Sequence, residues 1–170
     1  MTNINNPVPE DEQVVIWPLV GKTMLELGNK KNANGVYKLY FESIGMDHTS
    51  IDWNGEDGAL KLDLRVPIDL QPFDMITNIG TTEHVSDQKA VWENIHNLTK
   101  IDGVICSLTP LEGDWWWHGE YYPRKEFFEQ FAKNGYEIEY LGIGREYPNK
   151  NLMCRLKKVA HNDFVMPESE

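Results

Sequence analysis

The apolar positions of this chain change period several times between residues 22 and 159, and the changes divide it into short strands and helices. Residues 22–28 (KTMLELG) form a compact apolar run closed by glycine, which predicts a buried strand. Residues 36–44 (VYKLYFESI) instead place Val36, Leu39, Tyr40 and Ile44 at helical spacing, with Gly45 as terminator. Two further strand candidates, residues 48–53 (HTSIDW) and 59–64 (ALKLDL), flank the turn-rich stretch Asn54-Gly55-Glu56-Asp57-Gly58. Residues 73–79 (FDMITNI) predict a fourth strand. Residues 86–100 predict a helix with Ser86 as N-cap and Ala90, Val91, Ile95 and Leu98 on one face. A fifth strand at 103–108 (GVICSL) precedes a helix at 123–133, opened by Pro123 and stopped by Asn134-Gly135. Residues 136–143 and 152–159 complete the set as strands.

Strands alternating with helices imply a parallel sheet covered on both faces, and the final two strands can pair antiparallel. In such sheets ligands sit outside the carboxyl ends of the strands, near the point where strand order reverses. A length of 170 residues suits one domain, residues 1–170, with a folded core over about 13–160 and polar ends that are expected to fray. The 41% hydrophobic and 11% aromatic content is that of a globular chain. No apolar run approaches the roughly 20 residues that cross a bilayer, and the first residues have neither a basic nor an apolar leader region, so a soluble, unsecreted, cytoplasmic protein is expected. Cys106 and Cys154 lack metal or redox spacing and read as buried thiols. A net charge of −11 opposes broad contact with phosphate backbones, which makes nucleic acid an unfavoured partner. Lys22, Lys30, Lys31 and Lys38 gather near one end, as a local basic patch or as solvated surface.

Chemistry should therefore be sought at the strand ends. They carry Glu26-Leu27-Gly28-Asn29, Asp52-Trp53, Asp63-Leu64 and Asn78-Ile79-Gly80. Any one of these fits a turn or a helix cap; four in register point to a shared site. In this order they resemble the class I S-adenosylmethionine (SAM) dependent methyltransferases, over residues from about 22 to 159. The resemblance implies an α/β, Rossmann-like three-layer sandwich with a seven-stranded, mostly parallel sheet and an antiparallel last strand, with SAM as cofactor. It implies that Glu26, Gly28 and Asn29 form the turn beside the amino acid part of SAM. The family's further glycines are replaced here by Asn29-Lys30-Lys31-Asn32-Ala33-Asn34, and glycine returns at Gly35. Asp52 matches the acidic residue that takes both ribose hydroxyls, for which a carboxylate offers two acceptors. Trp53 matches the residue packed on adenine, or is a core aromatic. Asp63 matches the acceptor for the adenine amino group, with Leu64 beside it.

The most specific local likeness is residues 73–85, FDMITNIGTTEHV, common in members with small-molecule substrates. It implies that Asn78 and Gly80 line the cofactor and that Glu83 and His84 face the methyl group or the acceptor. His84 is either a base for an acceptor hydroxyl or a structural hydrogen-bonding residue. The aromatic segment 111–122 (LEGDWWWHGEYY) follows the fifth strand; Trp115, Trp116, Trp117, Tyr121 and Tyr122 are expected to form a mobile lid or stacking wall over a planar or sugar-like acceptor, or else a packed loop or subunit contact. Gly113 and Gly119 are read as points where it bends, and His118 as a second candidate base. Glu83, His84 and His118 show no closely spaced ligand motif, so no metal is expected. His48, His96 and His161 receive no role. The tetrad Asn/Asp-Pro-Pro-Tyr of DNA amino-group methylases is absent, with Asn78-Ile79-Gly80-Thr81 in its place. Two functions remain open: methyl transfer to an oxygen or nitrogen of a small or sugar-like molecule, or a non-catalytic binding protein of the same fold.

Overall fold

A central strand buried on both faces needs an almost continuous apolar run, and β1 (Thr23–Leu27) meets that demand. Met24, Leu25 and Leu27 are buried, and the carboxylate among them, Glu26, is paired with His48. The computed structural model describes residue 10 and residues 13–19, 21–29, 31–32, 35–146 and 149–168. After β1 come a small hairpin of β2 (Lys31–Asn32) and β3 (Gly35–Val36), helix α1 (Tyr37–Ser43) and strand β4 (Asp47–Asp52). Strands β5 (Leu60–Lys61) and β6 (Phe73–Ile79), helix α2 (Gln88–Leu98) and strand β7 (Thr99–Pro110) follow. Helix α3 (Lys125–Glu129) leads to β8 (Tyr136–Glu146) and β9 (Asn149–Lys158).

Seven strands form one sheet in the order β5-β4-β1-β6-β7-β9-β8. The first five are parallel, and β9 runs antiparallel between β7 and β8. The expected three-layer sandwich, with its seven-stranded sheet and antiparallel last strand, is the observed architecture. On one face Trp92 of α2 is ringed by Phe127, Phe128 and Phe131 at centroid distances of 5.3, 5.7 and 5.5 Å. On the other, Tyr37 and Phe41 of α1 pack with Met24, Met75 and Val104. Among the described residues no helix is long and apolar enough to cross a membrane.

Several boundaries differ from the pattern-based expectation. The buried face of α1 is Tyr37 and Phe41, one turn apart, while Leu39 is exposed and Val36 belongs to the hairpin. Asp87, not Ser86, caps α2: its carboxylate accepts from the Ala90 N–H at 3.0 Å. Only Leu60–Lys61 of the third predicted strand pairs with β4, because Asp63 closes a turn by accepting from the Arg65 N–H. The third helix starts at Lys125 and tightens into a 3-10 turn over Gln130–Asn134 before Gly135, whose φ of 78° suits the left-handed stop.

Residues 161–168 pack on the domain rather than fraying, and residues 169–170 lie outside those described. Asn134 Nδ2 donates to the Val165 carbonyl, and Phe164 lies against His96 and Phe131. The expected fraying before residue 12 concerns, apart from Glu10, residues outside those described, as does Lys30 of the lysine group. Two cations are buried with partners, as a low-dielectric interior requires. Arg155 Nε donates to Glu139 at 2.9 Å and its Nη1 to the Val15 carbonyl at 3.0 Å, while Trp17 covers the guanidinium at 3.6 Å. Lys158 donates to the carbonyls of His96 and Thr99, and burial lowers its pKa.

The packing of Trp92 sets a first expectation. Trp92→Ala should lower the unfolding free energy by about 3–5 kcal/mol in a denaturant titration, the range for a large aromatic removed from a close-packed core. A loss below about 1 kcal/mol would mean that this cluster does not anchor α2 to the sheet.

Candidate functional site

Because β4 and β6 flank β1 on opposite sides, the sheet opens a crevice at the carboxyl ends of these three strands. The crevice is a cleft of about 810 Å³, within the range of about 300–1,000 Å³ usual for small-molecule sites. Its floor is Gly28 and Gly80, both at positive φ, 84° and 66°. Gly28 donates to the Ile51 carbonyl at 2.8 Å and Gly80 to the Leu108 carbonyl at 3.0 Å, so each is tied to a neighbouring strand. Thr81 Oγ1 donates to the Leu27 carbonyl at 2.8 Å and fills the space above Gly28, where a Cβ would collide with that hydroxyl.

One wall consists of Asp52, Trp53 and residues 61–65. The Asp52 carboxylate accepts from the Asn54 N–H at 3.0 Å, an Asx turn that holds it at the end of β4. Trp53 is 78% exposed, which removes the core-aromatic alternative and leaves its ring face open beside the cleft. Asp63 is held by Arg65, whose Nη2 donates at 2.7 Å, and this side-chain hydrogen bond draws the Asp63 carboxyl down to about 2. Beneath this wall Asn94 of α2 donates to the carbonyls of Leu64 and Val66 and accepts from the Ile68 N–H. A buried amide thereby fixes a segment with no regular structure of its own.

The opposite wall is Thr81, His84, Val85, Ser86 and Glu120. Burial pushes the pKa of His84 down, the neighbouring His118 adds to the shift, and Glu120 opposes it. Of the sequence candidates, Gly28, Asp52, Trp53, Asp63, Leu64, Gly80 and His84 therefore meet around one cleft.

Other candidates lie outside the cleft lining. Glu26 is buried and bonded to His48 at 2.8 Å, which also gives a partner to a histidine without an expected role. Asn78 is buried; its Nδ2 donates to Thr82 and Ser107 and its Oδ1 accepts from the Thr82 N–H, so it shapes the turn after β6. Asn29, at φ 39°, donates to the Glu56 carbonyl and joins the first turn to the one after β4. His96 is buried in contact with Tyr136 and the Asn162 carbonyl.

The aromatic segment is hydrogen-bonded within itself and to the turn after β6. Tyr122 donates its hydroxyl proton to the Trp115 carbonyl and accepts from the His118 and Gly119 N–H groups. Glu120 and Tyr121 N–H both donate to the Glu83 carbonyl, at 2.8 and 3.1 Å. A Cβ at Gly119 would lie 2.8 Å from Glu83 Cγ, so this glycine permits close approach where the sequence suggested a bend. Tyr121 is half-buried against Phe127, whereas Trp116 and Trp117 are 80% and 97% exposed. These contacts bring His118 to within 3.6 Å of the buried Glu83 carboxylate, with His84 at 3.7 Å from the same oxygen. Thr81 and Val85 lie within the 73–85 motif and Ser86 beside it, although the motif singled out none of them as a cleft residue. Lys61, Arg65 and Glu120 carry no sequence signal that marks them as cleft residues.

No protein-family model matches the sequence, and no curated relative matches it. The fold is similar to Burkholderia thailandensis 1,6-didemethyltoxoflavin-N1-methyltransferase, solved with 1,6-didemethyltoxoflavin and S-adenosylhomocysteine. That likeness has a TM-score of 0.66 at 13% identity, covering 83% of this chain and 72% of that one. It is similar to a TehB-like SAM-dependent methyltransferase from Corynebacterium glutamicum, with a TM-score of 0.62 at 18% identity, covering 87% of each chain. It is also similar to geranyl diphosphate C-methyltransferase from Streptomyces coelicolor, solved with Mg²⁺, geranyl diphosphate and S-adenosylhomocysteine. There the TM-score is 0.67 at 9% identity, covering 88% of this chain and 79% of that one. Strand order, the cleft at the strand ends and these likenesses agree: the chain has the class I SAM-dependent methyltransferase fold.

Proposed function

We propose that this chain is a cytoplasmic SAM-dependent methyltransferase that methylates an oxygen or nitrogen of a small molecule. The observation that carries the reading is the cleft itself, with Asp52 and Trp53 on one wall, glycines on the floor, and His84 and Glu120 on the other. Asp52 suits a vicinal diol, and Trp53 offers a flat apolar face to a purine. Gly28 and Gly80 put no side chain of their own into the cleft between the walls. Three solved proteins of the same fold bear methyltransferase names, and two of them hold S-adenosylhomocysteine.

Bound SAM would supply an electrophilic methyl carbon, to which an acceptor lone pair bonds as the carbon–sulfur bond breaks. The chain's own task is then alignment and proton loss. Asp52 would hold the ribose and Trp53 would pack on the adenine, in the same cleft that His84 lines. Glu83, His84 and His118 would assist loss of the acceptor's proton on that side, and Trp116, Trp117 and Tyr121 would border the acceptor. The net charge of −11 favours a neutral or weakly charged acceptor over a polynucleotide. Cys106 and Cys154, free and buried, suit a reducing compartment. The competing reading is a non-catalytic binder of the same fold, favoured by the hairpin that stands in place of a glycine-rich first turn.

Calorimetry with S-adenosylhomocysteine separates the two. Asp52→Ala should weaken binding at least about tenfold, and a change under about threefold, roughly 0.7 kcal/mol, would remove the ribose contact. Gly28→Ala should abolish binding, since the new methyl meets both a positive φ and Thr81; unchanged affinity would contradict the floor described above. The doubly substituted Trp116→Ala, Trp117→Ala chain should keep its stability within about 0.5 kcal/mol, as both rings are exposed. Its S-adenosylhomocysteine affinity should stay within about twofold while methylation of an acceptor found by screening falls. Equal turnover in the two proteins would dissociate these rings from the acceptor.

A further inference from the structure

We propose that Glu83, His84 and His118 hold one divalent transition-metal ion on the acceptor side of the cleft. Glu83 lies in the 3-10 turn after β6, whereas His118 comes from the aromatic segment. The fold brings them together: Glu83 Oε1 is 3.7 Å from His84 Nε2 and 3.6 Å from His118 Nε2, and one donor atom from each residue lies within 4.8 Å of the others. The two imidazole rings are 5.0 Å apart and tilted by 57°.

The convergence of two imidazoles on one carboxylate oxygen points to a ligand shared among the three rather than to a single base with its orienting carboxylate. In the latter, one imidazole nitrogen bonds the carboxylate at about 2.6–3.2 Å and the other nitrogen faces the reacting group. Here both histidines turn Nε2 toward a single carboxylate oxygen, beyond hydrogen-bonding range. Metal–nitrogen and metal–oxygen bonds of about 2.0–2.2 Å in a tetrahedral set leave neighbouring ligand atoms about 3.3–3.5 Å apart. The two carboxylate–imidazole sides need contract by only a few tenths of an ångström, and the side between the imidazoles, within 4.8 Å, closes by turning the two part-exposed rings toward the ion. Two imidazoles and one carboxylate suit zinc, iron(II) or cobalt(II) better than magnesium or calcium, which prefer oxygen. Three protein donors also leave a coordination position for an exogenous group, as in catalytic rather than structural sites.

The surroundings fix the donors. The Glu83 side chain is fully buried, and its carbonyl is held by the Glu120 and Tyr121 N–H groups. Gly119 presses against Glu83, and the Tyr122 hydroxyl takes the His118 N–H. The histidine side chains remain 47% and 39% exposed, which gives an ion a way in. Since His84 belongs to the cleft wall, the ion would lie where an acceptor hydroxyl can reach it and become more acidic. That use rests on the methyl-transfer reading above; the binding of the ion does not.

The test is calorimetric titration of the full chain, freed of metal by chelation, with zinc chloride and separately with S-adenosylhomocysteine. One zinc per chain is expected, with a dissociation constant below about 10 μM, and His84→Ala and His118→Ala should each weaken it at least about tenfold. Both substitutions fall on part-exposed side chains, so they decide the matter even if Glu83→Gln, at a buried position, fails to fold. A cobalt-loaded sample should show visible d–d absorption that the same two substitutions abolish. No saturable zinc binding below about 100 μM, or binding that both variants leave within about threefold, would overturn the site. S-adenosylhomocysteine bound without zinc would sink the ion site alone, and zinc bound without S-adenosylhomocysteine would sink the methyl-transfer reading alone.

Discussion

The junction between the ends of β1 and β6 is the constraint on which the site depends. These strands are hydrogen-bonded neighbours, yet their onward connections leave toward opposite sides of the sheet, to β4 and to β7. A crevice must open where the chains part. Thr81 stitches its base by bonding the Leu27 carbonyl, and Gly28 has no room for a side chain there. Asp52 on β4 and His84 after β6 are thereby set on opposite walls of one cleft.

Around that junction several buried polar side chains hold backbone or one another. Asn78 closes the turn that presents Gly80 and Thr81, and Asn94 supports the segment that carries Leu64 and Arg65. Glu26 and His48 satisfy each other between β1 and β4. An unpaired buried amide or carboxylate is expensive, so each of these contacts fixes its segment in one arrangement. In the aromatic segment Tyr122 ties residues 115–122 to one another, and the Glu120 and Tyr121 N–H groups place that segment, with His118, on the Glu83 carbonyl.

The sheet was legible because apolar runs and glycine stops recur along the chain in strand-helix order, and Asp52 and Gly80 were legible as strand-end residues. The hairpin at Lys31–Asn32 and Gly35–Val36 was not: two-residue strands have too few positions to show a period. Ser86 and Asp87 are both good caps, and only the Asp87 bond to Ala90 distinguishes them. Asp63 looked like part of a strand because ALKLDL alternates, although a local bond to Arg65 turns the chain there. The meeting of Glu83 with His118 depends on a loop folding back across more than thirty residues, which spacing along the chain cannot express. Gly119 was misread for a related reason, since crowding against Glu83 is a tertiary fact.

The most direct measurement is the structure of the chain crystallised with S-adenosylhomocysteine. The ribose hydroxyls should lie about 2.6–3.2 Å from the Asp52 carboxylate, with adenine against Trp53 and the sulfur facing His84. A ligand bound elsewhere, a ribose turned away from Asp52, or an empty cleft at saturating ligand would contradict the assignment of this cleft to SAM.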